Sequence, residues 1–408
     1  MILPGFSPGF GRTALGVRAI SRILPRKLRQ TGDVSLTRPG LSDLSQSLFA
    51  ALGLPGTENR LQLASSKRIC LLLIDGLGTH SLARYGSEFS IFLELTTHTQ
   101  MSSHFPSTTV TNLTSLGTGV LPGVHGMLGY TVRIPESGSP GRLMNPLKWD
   151  PKIDPQAWQV TPTLFERAAA AGFHVTTIGD KRYAQSGFTQ ASLRGATYRS
   201  SNQISESVSE AVNALAEPHS FAYVYTNIVD NAGHNFGVGS QQWLLALREV
   251  AELTIRLANE LPRGSSLYLT ADHGMINAGE RIVLGQDNPL MNSVELVGGE
   301  PRVRHIYLDS ELISRSNLGY VDEIAATWRE YLGNKATIYT KSEAVSAGLF
   351  GVEVRTQSLD RLGDLIAIAQ DEIVFIDPTR VEKESAIIGQ HGGLSAAEVE
   401  IPLLGAVI

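Results

Sequence analysis

The feature that most constrains the fold is an unbroken apolar run, Arg68-Ile-Cys-Leu-Leu-Leu-Ile74, which leads directly into Asp75-Gly. A run without alternating polar residues is typical of a strand that is buried on both faces in the middle of a parallel sheet. Helix and strand patterns then alternate, with a helix over 162–172 before a strand over 174–179, and a helix over 241–261 before a strand from Ser266. This βαβ order predicts an α/β fold with a mostly parallel sheet.

The domain organisation is predicted from the 408 residues and from changes of pattern along the chain. Residues 1–38 are rich in Arg and Lys and contain no acid before Asp33, so they are predicted to form a basic N-terminal tail. A targeting segment or a membrane-surface segment shares this composition. Residues 39–408 are predicted to form the catalytic domain, with a small α+β insertion at about 299–370.

Composition excludes several functional classes. The net charge of −5 argues against binding to a nucleic-acid polymer. No stretch reaches the roughly 18 apolar residues of a membrane span, so no transmembrane segment is predicted. The one cysteine, Cys70, excludes a disulfide framework and is expected to be a buried thiol. A cytoplasmic location is expected, unless the basic N-terminus is a targeting segment.

Aspartate and histidine residues follow three of the predicted strands, and a further histidine lies in a glycine-rich loop near the C-terminus. These residues are Asp75, Asp230, His234, Asp272, His273 and His391. The carboxyl ends of parallel strands meet at the edge where open α/β sheets bind ligands, so the six side chains are expected to converge. Three carboxylates and three imidazoles give two sites suited to zinc or another first-row divalent ion. Two such ions can stabilise the attacking and the leaving oxygen of an in-line displacement.

The stretch 103–119 contains the candidate nucleophile. A helix is predicted to begin near Thr109, where free N–H groups and the macrodipole favour negative charge. A hydroxyl at this point is well placed to attack phosphorus, although most threonine-rich helix starts are only caps. Thr109 is preferred over Thr108 and Thr111, because Asn112 lies one turn further on the same helix face. The amide of Asn112 is expected to donate a hydrogen bond to the same phosphoryl group.

Together these motifs resemble the alkaline phosphatase superfamily, and in particular its nucleotide pyrophosphatase/phosphodiesterase branch. The matching motifs are Asp75-Gly, Phe105-Pro-Ser-Thr-Thr-Val-Thr-Asn112, Asp230-x-x-Gly-His234-x-x-Gly237, Thr270-Ala-Asp-His-Gly-Met275 and His391-Gly-Gly. Members often have Thr-Lys where Ser107 and Thr108 stand, Pro in place of Thr111, and His in place of Leu113. The Cys/Ser-x-Pro-x-Arg element of sulfatases is absent.

The resemblance implies an alkaline phosphatase-like three-layer sandwich around the sheet. It implies that Thr109 is the nucleophile and forms a phospho-threonine intermediate, and that Asn112 donates to a phosphoryl oxygen. It also implies two metal ions, most often zinc. The ligands of one ion are Asp230, His234 and His391, and those of the other are Asp75, Asp272 and His273.

The predicted function is that of a metal-dependent phosphoester hydrolase acting on diesters or nucleotide pyrophosphates. The substrate is expected to be a small-molecule phosphoester such as a nucleotide. The alternatives are a phosphomonoesterase or phosphonate hydrolase on the same scaffold, and a metal-binding protein without turnover. Arg302 and Arg304 are predicted to contact a substrate phosphate or nucleotide, the alternative being a solvated strand edge.

Overall fold

The computed structural model describes residues 38–135, 141–315 and 319–408. Apart from Arg38, the predicted basic tail therefore lies outside the described residues. In the described part of the chain, no helix is both long enough and apolar enough to cross a membrane.

The strands and helices are numbered in chain order. The strands are β1 Arg68–Ile74, β2 Thr96–Thr97, β3 Met101–Ser102, β4 Val132–Arg133, β5 Leu143–Met144, β6 His174–Gly179, β7 Thr197–Ser200, β8 Ser220–Thr226, β9 Ser266–Thr270, β10 Ile276–Asn277, β11 Arg281–Val283, β12 Val294–Glu300, β13 Val303–Leu308, β14 Ala336–Thr340, β15 Leu365–Ala369, β16 Val374–Ile376, β17 Gly389–Gln390, β18 Glu400–Ile401 and β19 Leu403–Val407. The helices are α1 Leu41–Leu52, α2 Thr79–Tyr85, α3 Ser90–Glu94, α4 Thr109–Thr118, α5 Pro122–His125, α6 Pro155–Trp158, α7 Leu164–Ala170, α8 Gly187–Ser192, α9 Ile204–Ala214, α10 Ile228–Phe236, α11 Gln241–Glu260, α12 Ser310–Arg315, α13 Tyr320–Leu332, α14 Lys341–Ser346, α15 Thr356–Leu359, α16 Val381–Ser385 and α17 Ala396–Val399.

The main sheet has seven strands in the order β2-β19-β9-β1-β8-β6-β7. Strands β9, β1, β8, β6 and β7 are parallel to one another, and β19 adds to β9 in the antiparallel direction. From Ile69 to Ile74 every residue of β1 is buried, so both faces of the central strand are covered. The predicted α/β fold with a mostly parallel central sheet is confirmed.

Helices pack against this sheet in two groups. One group contains α1, α4 and α7, which contact one another, and α1 also contacts β1. The other contains α9, α10 and α11, with α9 lying on β6 and β8. Helix α4 is buried along its whole length, and Gly119 ends it with a φ of +70°, which is readily adopted by glycine. The helix that carries the candidate nucleophile is thus fixed inside the core.

A second, antiparallel sheet has the order β12-β13-β15-β14 and spans Val294–Ala369. Apolar residues of one face, such as Ile306, pack with residues of helix α13, such as Trp328, to form a separate small core. Residues of the other face, including Val303 and Ile366, belong to the main core. The segment predicted as an insertion at about 299–370 therefore coincides largely with a sheet that is buried on both faces. Its status as an insertion stays a prediction.

Candidate metal centre

The six predicted ligands come from the carboxyl ends of three adjacent strands and from one loop. Asp75 follows β1, Asp272 and His273 follow β9, and α10, which begins just after β8, carries Asp230 and His234. The sixth residue, His391, follows β17. Because β8, β1 and β9 are neighbours in the sheet, their ends bring these side chains together. They form two groups, and within each group the ligand atoms lie within 4.8 Å of one another.

The inner group contains Asp75, Asp272 and His273, all of them buried. His273 Nε2 lies 3.3 Å from Asp75 Oδ1 and 3.5 Å from Asp272 Oδ2. Asp272 Oδ1 accepts hydrogen bonds from the N–H groups of Gly76 and His273, at 3.2 and 3.0 Å. These bonds orient the Asp272 carboxylate so that Oδ2 points to the centre of the group.

The outer group contains Asp230, His234 and His391. Asp230 Oδ1 lies 3.3 Å from His234 Nε2 and 3.9 Å from His391 Nε2. The side chain of His234 is 28% exposed, so this group opens to solvent. The rings of His391 and His273 stack with centroids 3.7 Å apart and planes 13° apart, which places the two groups side by side.

Gly76 allows this close approach of the two groups. Its φ of +76° lies in the left-handed region that favours glycine. A Cβ at this position would lie 3.1 Å from the Cα of Asp230. The Asp75-Gly pair therefore combines a ligand with a residue small enough to let α10 pack beside it.

The three histidines share one hydrogen-bonding pattern. In each, Nδ1 lies within hydrogen-bond distance of a backbone carbonyl: Gly389 for His234, Gly274 for His273 and Ser107 for His391, at 2.8 to 3.0 Å. Since a carbonyl only accepts, Nδ1 carries the proton and Nε2 presents a lone pair toward the carboxylates. This is the arrangement in which imidazole binds a metal ion.

Within the part of the chain that the structure describes, no lysine or arginine forms an ion pair with the carboxylates of the site. Among the same residues, Asp230 Oδ1 and Asp272 Oδ2 are buried without a hydrogen-bond donor. Burial raises the pKa of Asp75 well above its usual range, and the nearby charges of Asp272 and Asp230 raise it further. Burial also raises the pKa of Asp272 and lowers that of His391 well below its usual range. A cation in each group would satisfy these oxygens, so the donor set fits two divalent ions.

Thr109 is the first residue of α4 and lies against the inner group. Its Oγ1 is 3.2 Å from His273 Nε2 and 3.5 Å from each oxygen of Asp75. The residue is buried, with 9% of its surface exposed. Thr111 is fully buried, and its hydroxyl has no hydrogen-bond partner among the described residues. Thr108 precedes α4 as its N-cap residue and is also buried.

Asn112 does not occupy the position predicted for it. Its Nδ2 lies within hydrogen-bond distance of the carbonyls of His104, Pro106 and Thr108, at 3.1 to 3.3 Å, and its Oδ1 accepts from the His104 N–H at 2.7 Å. The side chain is fully buried and its amide is fully used by this loop. The predicted hydrogen bond to a substrate phosphoryl group is therefore corrected: in the structure, Asn112 holds the loop that leads to Thr109.

Arg302 and Arg304 are also placed differently from the prediction. Both are buried in the second sheet. Arg302 forms an ion pair with Glu398 at 2.9 Å, and Arg304 forms one with Glu384. A buried guanidinium that already binds a carboxylate has no free edge for a substrate phosphate. The predicted substrate contacts are therefore corrected to internal ion pairs.

The sequence reasoning did not identify two residues that contact the centre. The hydroxyl of Tyr225, in β8, donates to Asp75 Oδ2 at 2.5 Å. Ser107 accepts from His391 through its carbonyl, and its hydroxyl donates to the Gly393 carbonyl at 2.7 Å. The register of parallel β8 and β1, which pairs Thr226 with Ile74, would have placed Tyr225 near the end of β1. No local pattern indicates the role of Ser107, because its partners lie 284 and 286 residues away along the chain.

Solved structures with this fold come from animals and bacteria. Murine ectonucleotide pyrophosphatase/phosphodiesterase 5, in an inactive form complexed with AMP, is 16% identical with a TM-score of 0.64 over 83% of this chain and 87% of its own. The human protein of the same name is 16% identical, with a TM-score of 0.63 over the same shares. Phosphonoacetate hydrolase from Sinorhizobium meliloti 1021, complexed with phosphonoacetate, is 17% identical, with a TM-score of 0.61 over 83% of this chain and 90% of its own. The likeness to these structures shows that the chain shares their fold.

The sequence model of the family "Type I phosphodiesterase / nucleotide pyrophosphatase" matches residues 69–394, which is most of the chain. No curated protein sequence matches the chain at a significant level. The chain belongs to the type I phosphodiesterase/nucleotide pyrophosphatase family, as the motifs predicted.

Proposed function

We propose that this protein hydrolyses a phosphodiester or nucleotide pyrophosphate with two zinc ions and a phospho-threonine intermediate on Thr109. The observation that carries the proposal is the position of Thr109 Oγ1, 3.2 Å from the Nε2 of a buried candidate ligand, His273. The murine relative supports it, because its inactive form carries a threonine-to-alanine change.

The six side chains form two groups of three, and each group would bind one metal ion. The inner group, Asp75, Asp272 and His273, would hold one ion beside Thr109. The outer group, Asp230, His234 and His391, would hold the other at the solvent-facing side. Bound there, the ions supply Lewis-acid stabilisation of the attacking and leaving oxygens.

The chain itself positions the nucleophile. The first turn of α4 directs its free N–H groups and positive end toward the point where Thr109 Oγ1 becomes an alkoxide. In the first step Oγ1 bonds to phosphorus, the phosphorus–oxygen bond to the leaving group breaks, and the threonine proton passes to solvent. In the second step a water molecule attacks phosphorus, the bond to Oγ1 breaks, and Thr109 regains a proton.

The test compares two isosteric substitutions in α4. Thr109→Val removes the proposed nucleophile, whereas Thr111→Val removes a buried hydroxyl that has no partner. We expect Thr109→Val to bind both ions and to lose several orders of magnitude in kcat. Thr111→Val should keep most of the activity. Mass spectrometry of acid-quenched wild-type enzyme should find phosphate on Thr109, and a label elsewhere or near wild-type turnover by Thr109→Val would refute the proposal.

Substrate class and metal content need separate measurements. A chromogenic aryl diester, its monoester and a phosphonate, each assayed with and without chelator, separate the phosphodiesterase from the monoesterase and phosphonate-hydrolase alternatives. The S. meliloti relative is a phosphonoacetate hydrolase in complex with phosphonoacetate, which is why a phosphonate belongs in the panel. Metal analysis of protein purified without chelator should give close to two zinc ions per chain. A folded protein that takes up no metal would contradict the phosphodiesterase, the monoesterase and the phosphonate-hydrolase functions alike.

A further inference from the structure

We infer that the buried ion pair between Arg302 and Glu398 is a positioning element that holds the two halves of the metal centre in register. This inference rests on the proposed metal centre and assigns a role to two residues outside it. Arg302 binds Glu398 through two parallel hydrogen bonds, Nε to Oε1 at 3.0 Å and Nη2 to Oε2 at 2.9 Å. Both side chains are fully buried, so the pair is protected from solvent screening.

Glu398 contacts the loop that carries the outer ligand His391. Its Oε1 accepts a hydrogen bond from the N–H of Gly393 at 2.8 Å, two residues after His391. Its Oε2 accepts from the Ser395 hydroxyl at 2.6 Å. A Cβ on Gly393 would lie 2.8 Å from Glu398 Oε2, so the loop lies directly on the carboxylate. The position of His391 therefore depends on that of Glu398.

The same residue contacts the strand end that carries the inner ligands. The backbone carbonyl of Glu398 accepts from the N–H of Gly274 at 2.7 Å, and Gly274 directly follows His273. The neighbouring Ala397 carbonyl is so close to Gly274 that a Cβ there would lie 2.0 Å from it. Glu398 is thus joined to His391 through its side chain and to His273 through its main chain.

Arg302 anchors this arrangement to the second sheet. Its Nη1 lies within hydrogen-bond distance of the carbonyls of Gln370 and Ile373, beyond β15. The guanidinium is therefore held by the main chain on one side and by Glu398 on the other. Since the rings of His273 and His391 stack at 3.7 Å, a small shift of either segment changes the spacing between the two ligand groups. The pair sets this spacing without touching a ligand.

A matched control lies in the same sheet. Arg304 and Glu384 also form a buried ion pair. Glu384 Oε2 accepts from the Asp377 N–H, and Arg304 donates to the Phe375 carbonyl, at 2.9 Å and at 2.7 to 3.1 Å. None of these partners lies within two residues of a candidate metal ligand. Removing this pair disturbs the sheet without disturbing either loop of the centre.

The experiment compares Arg302→Met/Glu398→Gln with Arg304→Met/Glu384→Gln in the full-length chain. Each double substitution removes both charges, because a lone buried charge would be more disruptive than a lost pair. Zinc affinity is measured by chelator competition, the thermal stability of the metal-free protein by calorimetry, and kcat and KM with an aryl diester. We expect the Arg302/Glu398 variant to bind zinc about 10- to 100-fold more weakly and to lose kcat with little change in KM. The Arg304/Glu384 variant should retain wild-type zinc affinity at comparable stability.

A third variant, Gly393→Ala, displaces the loop from Glu398 while leaving both charges in place, and it decides the matter if a double variant does not fold. It should weaken zinc binding, whereas wild-type affinity in Gly393→Ala, or equal weakening in both double variants, would overturn the inference. Failure of the wild type to bind zinc would instead refute the proposed function, so the two failures are distinguishable.

Discussion

Two clusters of buried acids lie close together in this molecule, and they balance their charge in different ways. In the metal centre, the ion pairs of Asp75, Asp230 and Asp272 within the described structure are all with histidines. In what we call the glutamate–arginine cluster, Glu300, Glu384 and Glu398 are joined by Arg302 and Arg304. Burying a charge without a partner is costly, so each cluster needs cations. In the glutamate–arginine cluster the cations are Arg302 and Arg304. In the metal centre they would be metal ions taken from solution.

The difference explains which cluster can do chemistry. Burial raises the pKa of Glu300 to about 8, so at neutral pH this carboxyl keeps its proton and two arginines balance the other two glutamates. The cluster is then neutral. Two divalent ions would instead overcompensate three aspartates by one positive charge, which favours an anionic substrate. The neutral glutamate–arginine cluster is suited to a structural role, whereas a metal centre with a net positive charge is suited to binding a phosphoester.

The strongest way to break this comparison is to remove one carboxylate of the metal centre. Asp272→Asn keeps the shape of the side chain but removes a charge from the inner group, so the ion beside Thr109 should be lost. We expect kcat to fall by about three orders of magnitude or more, as for the loss of other essential catalytic groups. Metal analysis and diester turnover measure the effect. Asp377→Asn, in a buried aspartate far from the ligands in sequence, is the control and should keep both ions and the activity.

Removing one arginine tests whether the buried carboxylates of the glutamate–arginine cluster depend on their arginine partners. Arg304→Met leaves Glu384 buried without its partner, and such a change typically costs about 3–5 kcal/mol of the free energy of unfolding. Zinc affinity should not change. Urea denaturation gives the first quantity and chelator competition the second. If stability is unaffected, the carboxylates of this cluster do not depend on their arginines and the comparison fails.

A change of pH sharpens the role of Glu300. Because burial raises its pKa from 4.5 to about 8, the folded protein binds a proton in this range that the unfolded chain has released. Stability contributed by this group is therefore complete below the unfolded pKa and is lost as the pH rises toward 8. Glu300→Gln stays neutral, so its stability relative to the wild type should improve by about a few kcal/mol between roughly pH 5 and pH 8. Urea denaturation across this range measures the difference, and parallel pH profiles of the two proteins would contradict it.

The smallest expected effect concerns the Tyr225 hydroxyl, which donates a hydrogen bond to a carboxylate of the metal centre. Tyr225→Phe removes the donor to Asp75 Oδ2 and leaves the ring in place. Loss of a group that orients a metal ligand typically costs about 10- to 100-fold in metal affinity or activity. Tyr223→Phe is the matched control, because the Tyr223 hydroxyl is buried without a partner. Equal kinetics for the two variants would show that the Tyr225 hydroxyl does not orient the site.

The sequence by itself determined the elements of the fold and the set of ligand-type residues. The apolar run from Ile69 predicted the central strand, and the helix patterns predicted α7 and α11 close to their observed bounds. Such signals are local, because the period of a helix or a strand is written in consecutive residues. The strand ends then predicted where Asp75 and Asp272 would meet, since parallel strands share one carboxyl edge.

Only the tertiary structure decided what the polar side chains bind. Asn112 shares a helix face with Thr109 by period, yet its amide is used by carbonyls of the loop before the helix. Arg302 looks like a phosphate-binding residue in isolation, but its carboxylate partner, Glu398, lies 96 residues further along the chain. A hydrogen bond or ion pair of this kind exists only after distant segments have packed, because its strength depends on the burial and geometry that packing creates. The local pattern therefore predicts that a group is polar, and the packed core determines its partner.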